Sequence, residues 1–261
     1  MSIRWSIRIR SLSELDDARA AGFDRVQLTV DAVMAWDDAG FQAERNRLLA
    51  TGVSFEVFEA PLPRNVQVTE QGFNTYLWTE YLNTAVRRIS ELGCRTLVWG
   101  DGRARLLPVE GDISTSKEHF YQFMFILCGI AEQFGITVCL EPLGPRRTNF
   151  LNSLDEMDAC IALIGKHNLS MMFSPRDLVE LHADLTELSK YRQKIAHIHV
   201  ENPEVPETSS PPRASDRYDY LAFFKALGII DYAGVISLPA GSRKDTLAYC
   251  RQLWASAEAD V

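Results

Sequence analysis

The sequence predicts one α/β domain over residues 1–261, folded as a single (β/α)8 TIM barrel. Short β-like runs alternate with helical runs eight times, at spacings of roughly 25 to 40 residues. No composition shift and no linker divides the chain. Eight such units in about 250 residues are typical of a closed barrel. A doubly wound open sheet is the alternative, but its GxGxxG fingerprint is absent after the first strand.

The predicted strands are short, mainly apolar runs. In the first of them Trp5, Ile7 and Ile9 recur at every second position, which is the period of a strand. The eight strands are predicted at 3–9, 25–30, 53–60, 94–100, 136–141, 169–173, 195–201 and 234–239.

Each strand is followed by a predicted helix, and several of these helices end near a glycine, a common helix terminator. Ser153 precedes one helix and Glu156 follows three residues later, a spacing that predicts a capping box. The helices are predicted at 11–22, 37–50, 74–92, 116–134, 153–166, 185–193, 218–227 and 244–257.

Composition and charge exclude several classes of protein. The formal net charge is -8 and no block of Lys or Arg stands out, so a nucleic-acid partner is not expected. No window approaches eighteen uncharged apolar residues, so no membrane span is expected. The N-terminus lacks the apolar region of a signal peptide. The five cysteines are scattered without a CxxC pair, which indicates buried free thiols and a cytoplasmic location.

Candidate site residues lie where predicted strands end, because barrel enzymes build their sites there. Glu141 ends the fifth strand, and its position alone favours a solvated strand cap and a site acid equally. His197 and His199 lie on the seventh strand and face the same side. If that side is the lumen, His199 lies near the mouth and His197 one layer deeper. A satisfied core histidine is the favoured interpretation for His197, and a functional role for His199.

Loops after the strands supply further candidates. Arg146 and Arg147 follow Glu141 and are either solvated or a bidentate fork for an anion. Asp177, in SPRDL after the sixth strand, is either a helix N-cap or a site acid. Trp99, at the end of the fourth strand, is either a packing residue, the more common case, or a stacking surface for a ligand.

Several longer stretches match known sequence signatures in order and spacing. They are FEAPLPRNVQVT near the third strand, EPLGPRRTNFLNSLDE at the fifth, IAHIHVEN at the seventh and RYDYLAFFKALGIIDYAGVISLPA around the eighth. The chain thereby resembles the xylose isomerase-like barrels, the sugar isomerase/epimerase group that includes ketose 3-epimerases and hydroxypyruvate isomerase-like proteins. The resemblance covers nearly the whole chain and implies the barrel fold.

The resemblance implies a divalent metal site, for Mn²⁺, Mg²⁺ or Zn²⁺, with Glu, Asp, His and Glu ligands from the fifth to eighth strands. Glu141 and His199 match the first and third ligands. Ser174 stands in place of the Asp, and Pro239 in place of the last Glu. Because catalytic sites usually keep about three protein ligands, we expect a weak or absent metal, with Asp177 as a possible third ligand.

In the same comparison Arg147 replaces a substrate-facing Glu, and Asn149 matches the signature. The resemblance implies proton transfer by two carboxylates, which cannot run as written because Pro239 carries no base. One hypothesis is that Arg147 pairs with Glu141 or Asp177 and takes the electrostatic place of the ion. The expected catalytic residues are Glu141, Asp177 and His199, and the expected substrate-binding residues are Trp99, Arg146, Arg147, Asn149 and His197.

Two functions remain open. The first is a sugar isomerase/epimerase-type enzyme with an altered site, acting on a small keto-sugar, polyol or related acid. The second is a non-catalytic descendant that binds a small polar ligand such as a sugar or polyol. A three-zinc nuclease of the same barrel group is disfavoured, because only five histidines are present and the net charge is negative. The resemblance is compatible with a homo-oligomer, which no residue specifies.

Overall fold

In the computed structural model, which describes residues 3–205 and 207–259, parallel strands close into one eight-stranded barrel. Each strand pairs with the next, and the last pairs with the first. The strands are β1 Arg4–Arg8, β2 Arg25–Thr29, β3 Ser54–Glu59, β4 Thr96–Trp99, β5 Thr137–Leu140, β6 Leu169–Phe173, β7 Ile195–His199 and β8 Val235–Leu238. The predicted (β/α)8 barrel is confirmed. The domain limits 1 and 261 stay a prediction, since both termini lie outside the described part.

Helices surround the barrel and cover the apolar outer faces of the strands. The α-helices are α1 Leu15–Ala20, α2 Asp31–Met34, α3 Asp38–Ala50, α4 Thr79–Glu91, α5 Ile113–Glu132, α6 Leu154–Ile164, α7 Pro175–Glu180, α8 Tyr220–Ile229 and α9 Lys244–Ala259. No helix among the described residues is long and apolar enough to cross a membrane. All five cysteines are free and buried, as predicted.

The predicted helices differ from the observed ones mainly at their ends. The segment Leu185–Lys194 is a 3₁₀ helix, and it carries a capping box between Asp184 and Glu187. The capping box predicted at Ser153 forms only in part: Ser153 accepts the Glu156 amide, whereas the Glu156 carboxylate accepts the amide of Asn152. Two short helices, α2 and α7, were not predicted, because four to six residues are too few for a periodic signal.

Side chains on the strands alternate between the lumen and the helix layer. At the N-terminal end of the barrel, Glu56 accepts from Arg4 (2.6 Å) and Arg25 (2.7 Å). Above this ion-paired layer lies a separate buried apolar cluster of Val57, Val98, Cys139, Met172 and Val235. This end of the lumen is therefore filled by side chains, and room for a ligand inside the lumen is expected at the opposite mouth.

Candidate functional site

Two glycines after β4 make room for the candidate site. A Cβ on Gly100 would lie 1.5 Å from Glu141 Oε2, so the glycine allows the buried carboxylate its position. A Cβ on Gly102 would lie 2.2 Å from the carbonyl oxygen of Arg147. The loop after β5 thus packs directly on the backbone of the loop after β4.

Arg147 lies between three acidic side chains. Its Nη2 donates to Asp177 Oδ1, its Nη1 lies 3.7 Å from Glu141 Oε1, and its Nε lies 3.5 Å from Glu180 Oε2. Arg147 thus contacts both Glu141 and Asp177, as the pairing hypothesis expects, and its role in place of an ion stays a prediction. Burial and the neighbouring Glu141 raise the pKa of Asp177 well above its usual range, although Arg147 acts in the opposite direction.

Asp177 is held by the first turn of α7. Ser174 is the N-cap: its Oγ accepts the amide of Asp177 (3.1 Å) and donates to Asp177 Oδ2 (2.6 Å). Pro175 occupies the first helical position, where its missing N–H costs nothing. The N-cap interpretation of Asp177 was therefore wrong, because Ser174 fills that role. Both oxygens of Asp177 are engaged, one by Ser174 and the other by Arg147.

His197 and His199 share one hydrogen-bond acceptor. Their Nε2 atoms lie 3.2 and 3.1 Å from Gln27 Oε1, while Gln27 Nε2 donates to Glu59 Oε2 (2.7 Å). This pattern assigns the proton to Nε2 of both rings and leaves both Nδ1 atoms as acceptors. Neither Nδ1 has a partner in the described part of the chain.

Both histidines are electrically neutral. Burial, assisted by Arg8, lowers the pKa of His197 to about 3 and that of His199 well below its ordinary value. The register places His199 opposite Ser237 and His197 opposite Val235, one layer deeper. The expected order of the two rings along the lumen is confirmed.

Arg8, Arg176 and Glu201 complete the mouth and were missed by sequence reasoning. Arg176 Nη2 lies 2.8 Å from Glu201 Oε1 and 3.6 Å from Glu141 Oε1, whereas Arg8 Nη1 lies 3.9 Å from Glu201 Oε2. The sequence contains a clue to Glu201, because positions 197, 199 and 201 are spaced by two residues and therefore face the same side of the strand. The sequence contains no such clue to Arg8 and Arg176, because the acids that they contact lie far away along the chain.

Arg105, in the loop after β4, is a further buried cation near this group. None of its guanidinium nitrogens has a hydrogen-bond partner within the described residues. Burial lowers the pKa of Arg105 to about 10, although Glu141 and Asp177 oppose the shift. It therefore adds positive charge close to the two central carboxylates.

Of the predicted substrate-binding residues, Trp99 and Asn149 lie outside the group at the mouth, and Arg146 lies at its exposed edge. Trp99 stacks on Phe120 in the helix layer, with 5.5 Å between ring centroids. Asn149 accepts from the Leu107 amide (2.8 Å) and donates to the Leu107 carbonyl (3.0 Å), so its amide joins two loops. Arg146 is 55% exposed and contacts Glu180. The structure does not bring these three together, and their binding roles stay predictions.

The comparison with known families accords with this geometry. The family described as the xylose isomerase-like TIM barrel matches residues 15–253. The chain belongs to the xylose isomerase-like TIM barrel family. No curated protein matches its sequence.

Solved structures of this barrel type share the fold at low sequence identity. An L-ribulose 3-epimerase is 18% identical, with a TM-score of 0.80, over 99% of this chain and 97% of that one. A D-psicose 3-epimerase is 13% identical, with a TM-score of 0.80, over 97% and 99%. An AP endonuclease of family 2 from Brucella melitensis is 18% identical, with a TM-score of 0.75, over 96% and 99%.

The residues at this mouth do not fit the metal that the resemblance to metal-binding barrels implies. Within the described ranges, no group of three or more His, Cys, Asp or Glu side chains is placed to hold an ion. The Arg147 guanidinium contacts Glu141 and Asp177, two of the three candidate ligands. His199 donates its Nε2–H to Gln27, so only its Nδ1 remains, and one nitrogen is too few to hold an ion without the two carboxylates. The guanidinium of Arg147 thus already provides a positive charge next to the two carboxylates.

Proposed function

We propose that the barrel mouth binds a small polyhydroxylated molecule, a keto-sugar, polyol or related acid, in an ion-paired site that uses Arg147 instead of a metal ion. The observation that carries this proposal is the contact of Arg147 with both Glu141 and Asp177. A buried carboxylate needs a neighbouring cation, and the guanidinium meets that need without an ion.

The polar groups that remain free suit a ligand with hydroxyl groups. His197 Nδ1, His199 Nδ1 and the Oγ atoms of Ser6 and Ser237 are buried without partners among the described residues. They lie on lumen-facing positions of β1, β7 and β8, where Ser6 pairs in register with Ser237. A hydroxyl group both donates and accepts, so it can satisfy an imidazole acceptor and a serine together.

The charges at the mouth compensate one another, which favours a ligand with little net charge. Arg8 pairs with Glu59 (3.1 Å), and Arg176 pairs with Glu201 (2.8 Å). A strongly charged ligand would have to break one of these pairs. Breaking a buried pair such as Arg176–Glu201 typically costs about 3–5 kcal/mol, whereas the partly exposed pair Arg8–Glu59 costs less. Specificity then comes from hydrogen bonds to hydroxyl groups.

A second candidate function is proton transfer next to a carbonyl, as in a sugar isomerase or epimerase. The raised pKa of Asp177 favours its protonated form, in which Oδ2 would donate to Ser174 Oγ instead of accepting from it and could pass this proton to a substrate. Neutral His199, with its free Nδ1, is a potential acceptor. Pro239 removes the eighth-strand carboxylate that a symmetric two-carboxylate mechanism requires.

Calorimetric titration of EDTA-treated protein with ketohexoses, polyols and sugar acids tests the proposal. We expect saturable binding that the variant His199→Gln weakens about tenfold, since it keeps a donor for Gln27 but loses the Nδ1 acceptor. Arg192→Gln is the matched control, because Arg192 is exposed and lies in the segment before β7, away from the mouth, so this variant should bind normally. Failure of the whole panel to bind, or binding only after Mn²⁺ is added, contradicts the proposal.

The two candidate functions are separated by incubating the protein with a bound ketose in D₂O. Proton NMR measures the incorporation of deuterium at carbon. Incorporation that is lost in Asp177→Asn supports the proton-transfer function. Tight binding without exchange supports the non-catalytic alternative.

A further inference from the structure

A second cavity lies outside the barrel wall and shares no lining residue with the ion-paired mouth. It has a volume of ≈ 650 Å³ and is formed by the end of β1, helix α1 and the loop that joins β8 to α9. Arg10, Ser242, Arg243 and Lys244 line it on the side of the strand ends. Glu14, which precedes α1, and Asp17 in α1 line it on the helix side.

The three cations of this cavity have no counter-ion within the described chain. Arg10, Arg243 and Lys244 are exposed, and no described carboxylate lies within salt-bridge distance of any of them. Glu14 accepts only the backbone amide of Arg10 (3.3 Å). Asp17 makes no ion pair with them either. The cavity lining therefore carries three cations and two acids that do not pair with them, and it keeps a net positive charge.

Helix α9 begins at this cluster. It spans Lys244–Ala259, and its first amides point away from the helix towards its N-terminal end. No described acceptor takes the amides of Lys244 and Asp245. Positive side chains at the positive end of a helix dipole are unfavourable, whereas an anion there is stabilising. Asp245 already places one carboxylate in the first turn, where it accepts the Thr246 amide, and the amides of Lys244 and Asp245 stay open to an added anion.

Ser242 gives an independent indication of a ligand. It lines the cavity, is only 4% exposed, and its Oγ has no hydrogen-bond partner among the described residues. Its own amide donates to the Pro239 carbonyl (3.2 Å), which fixes the serine in the turn before α9. A buried hydroxyl without a partner is costly, and a ligand oxygen would remove that cost.

We propose that this cavity binds a phosphate group, held by Ser242, Arg243, Lys244 and Arg10 at the N-terminus of α9. A phosphate oxygen can accept from the serine hydroxyl, from the free amides and from the basic side chains at the same time. The group is either inorganic phosphate or the terminal phosphate of a small metabolite. The site is separate from the proposed sugar site and does not depend on it.

Titration with inorganic phosphate and with glycerol phosphate, at constant ionic strength in chloride buffer, tests this inference. Binding is followed by calorimetry and by phosphorus NMR line width. We expect saturable binding, weakened about tenfold or more in Arg243→Gln/Lys244→Gln and in Ser242→Ala. The matched control Arg192→Gln/Arg251→Gln removes the same charge at exposed positions elsewhere, Arg251 being on the same helix, and should bind within about twofold of the parent.

The two sources of phosphate give different results. Tighter binding of glycerol phosphate identifies a metabolite site, whereas equal or weaker binding identifies inorganic phosphate as the ligand. The absence of saturable binding overturns the proposal. An equal loss of affinity in the control variant overturns it too, because that loss would reflect only overall charge.

Discussion

Removal of the Arg147 guanidinium should destabilise the fold much more than removal of its neighbour. Arg147→Met keeps most of the aliphatic stem but leaves Glu141 and Asp177, both buried, without this cation. Breaking a buried ion pair typically costs about 3–5 kcal/mol. Because 24% of the Arg147 side chain is exposed, we expect the lower end, about 3 kcal/mol at neutral pH. Urea denaturation would show a midpoint lowered by about 1 M, since the m-value of a chain of this size is about 3 kcal/mol/M.

Arg146→Met is the control for that experiment. Arg146 is 55% exposed, so solvent screens its contacts with Glu180 (3.0 Å) and Glu207 (3.4 Å) from the arginine side, and the buried Glu180 keeps Arg147 as a second cation nearby. Pairs of this kind contribute about 0–1 kcal/mol. The double variant Arg147→Met/Asp177→Asn should recover part of the lost stability, because it no longer buries an unpaired carboxylate. If Arg147→Met were no worse than Arg146→Met, or if the double variant recovered nothing, the ion-paired description of the mouth would be refuted.

Two further predictions concern the same group. Gly100→Ala places a methyl group on Glu141 Oε2 and should lower both the stability of the fold and the affinity for sugar. The control Gly129→Ala lies in a helix, and its added Cβ has its nearest neighbour 3.7 Å away. Thermal unfolding should show this control to be neutral or stabilising. Because its pKa is raised above 3.8, the value in the unfolded chain, folded Asp177 keeps its proton to higher pH. The stabilising contribution of this bound proton to folding is complete below pH 3.8 and decreases as the pH rises through the raised pKa. The stability of the parent relative to Asp177→Asn should therefore fall with rising pH, and a pH-independent difference between their denaturation curves would contradict the assignment.

Sequence alone determined the barrel and the end of the barrel at which the candidate site lies. Strand and helix periodicities are local properties of the chain, and eight alternating units leave few ways to bury their apolar faces. Local order also placed Glu141 and His199 at strand ends, and the resemblance marked Ser174 and Pro239 as departures from the metal-binding pattern. The pairing of Arg147 was predicted from charge compensation.

Tertiary structure alone decided which groups meet and which way they point. Closure of the barrel brings Gln27 to His197 and His199, and brings Arg8 to Glu201, across about 170 to 190 residues of chain in each case. Trp99 shows the same limit: its position at a strand end was predicted, but the strand pleat directs its ring into the helix layer. A sequence gives the spacing of side chains along each element. Their partners depend on the closure and register of the whole barrel, because hydrogen bonds and ion pairs form only within a few ångströms.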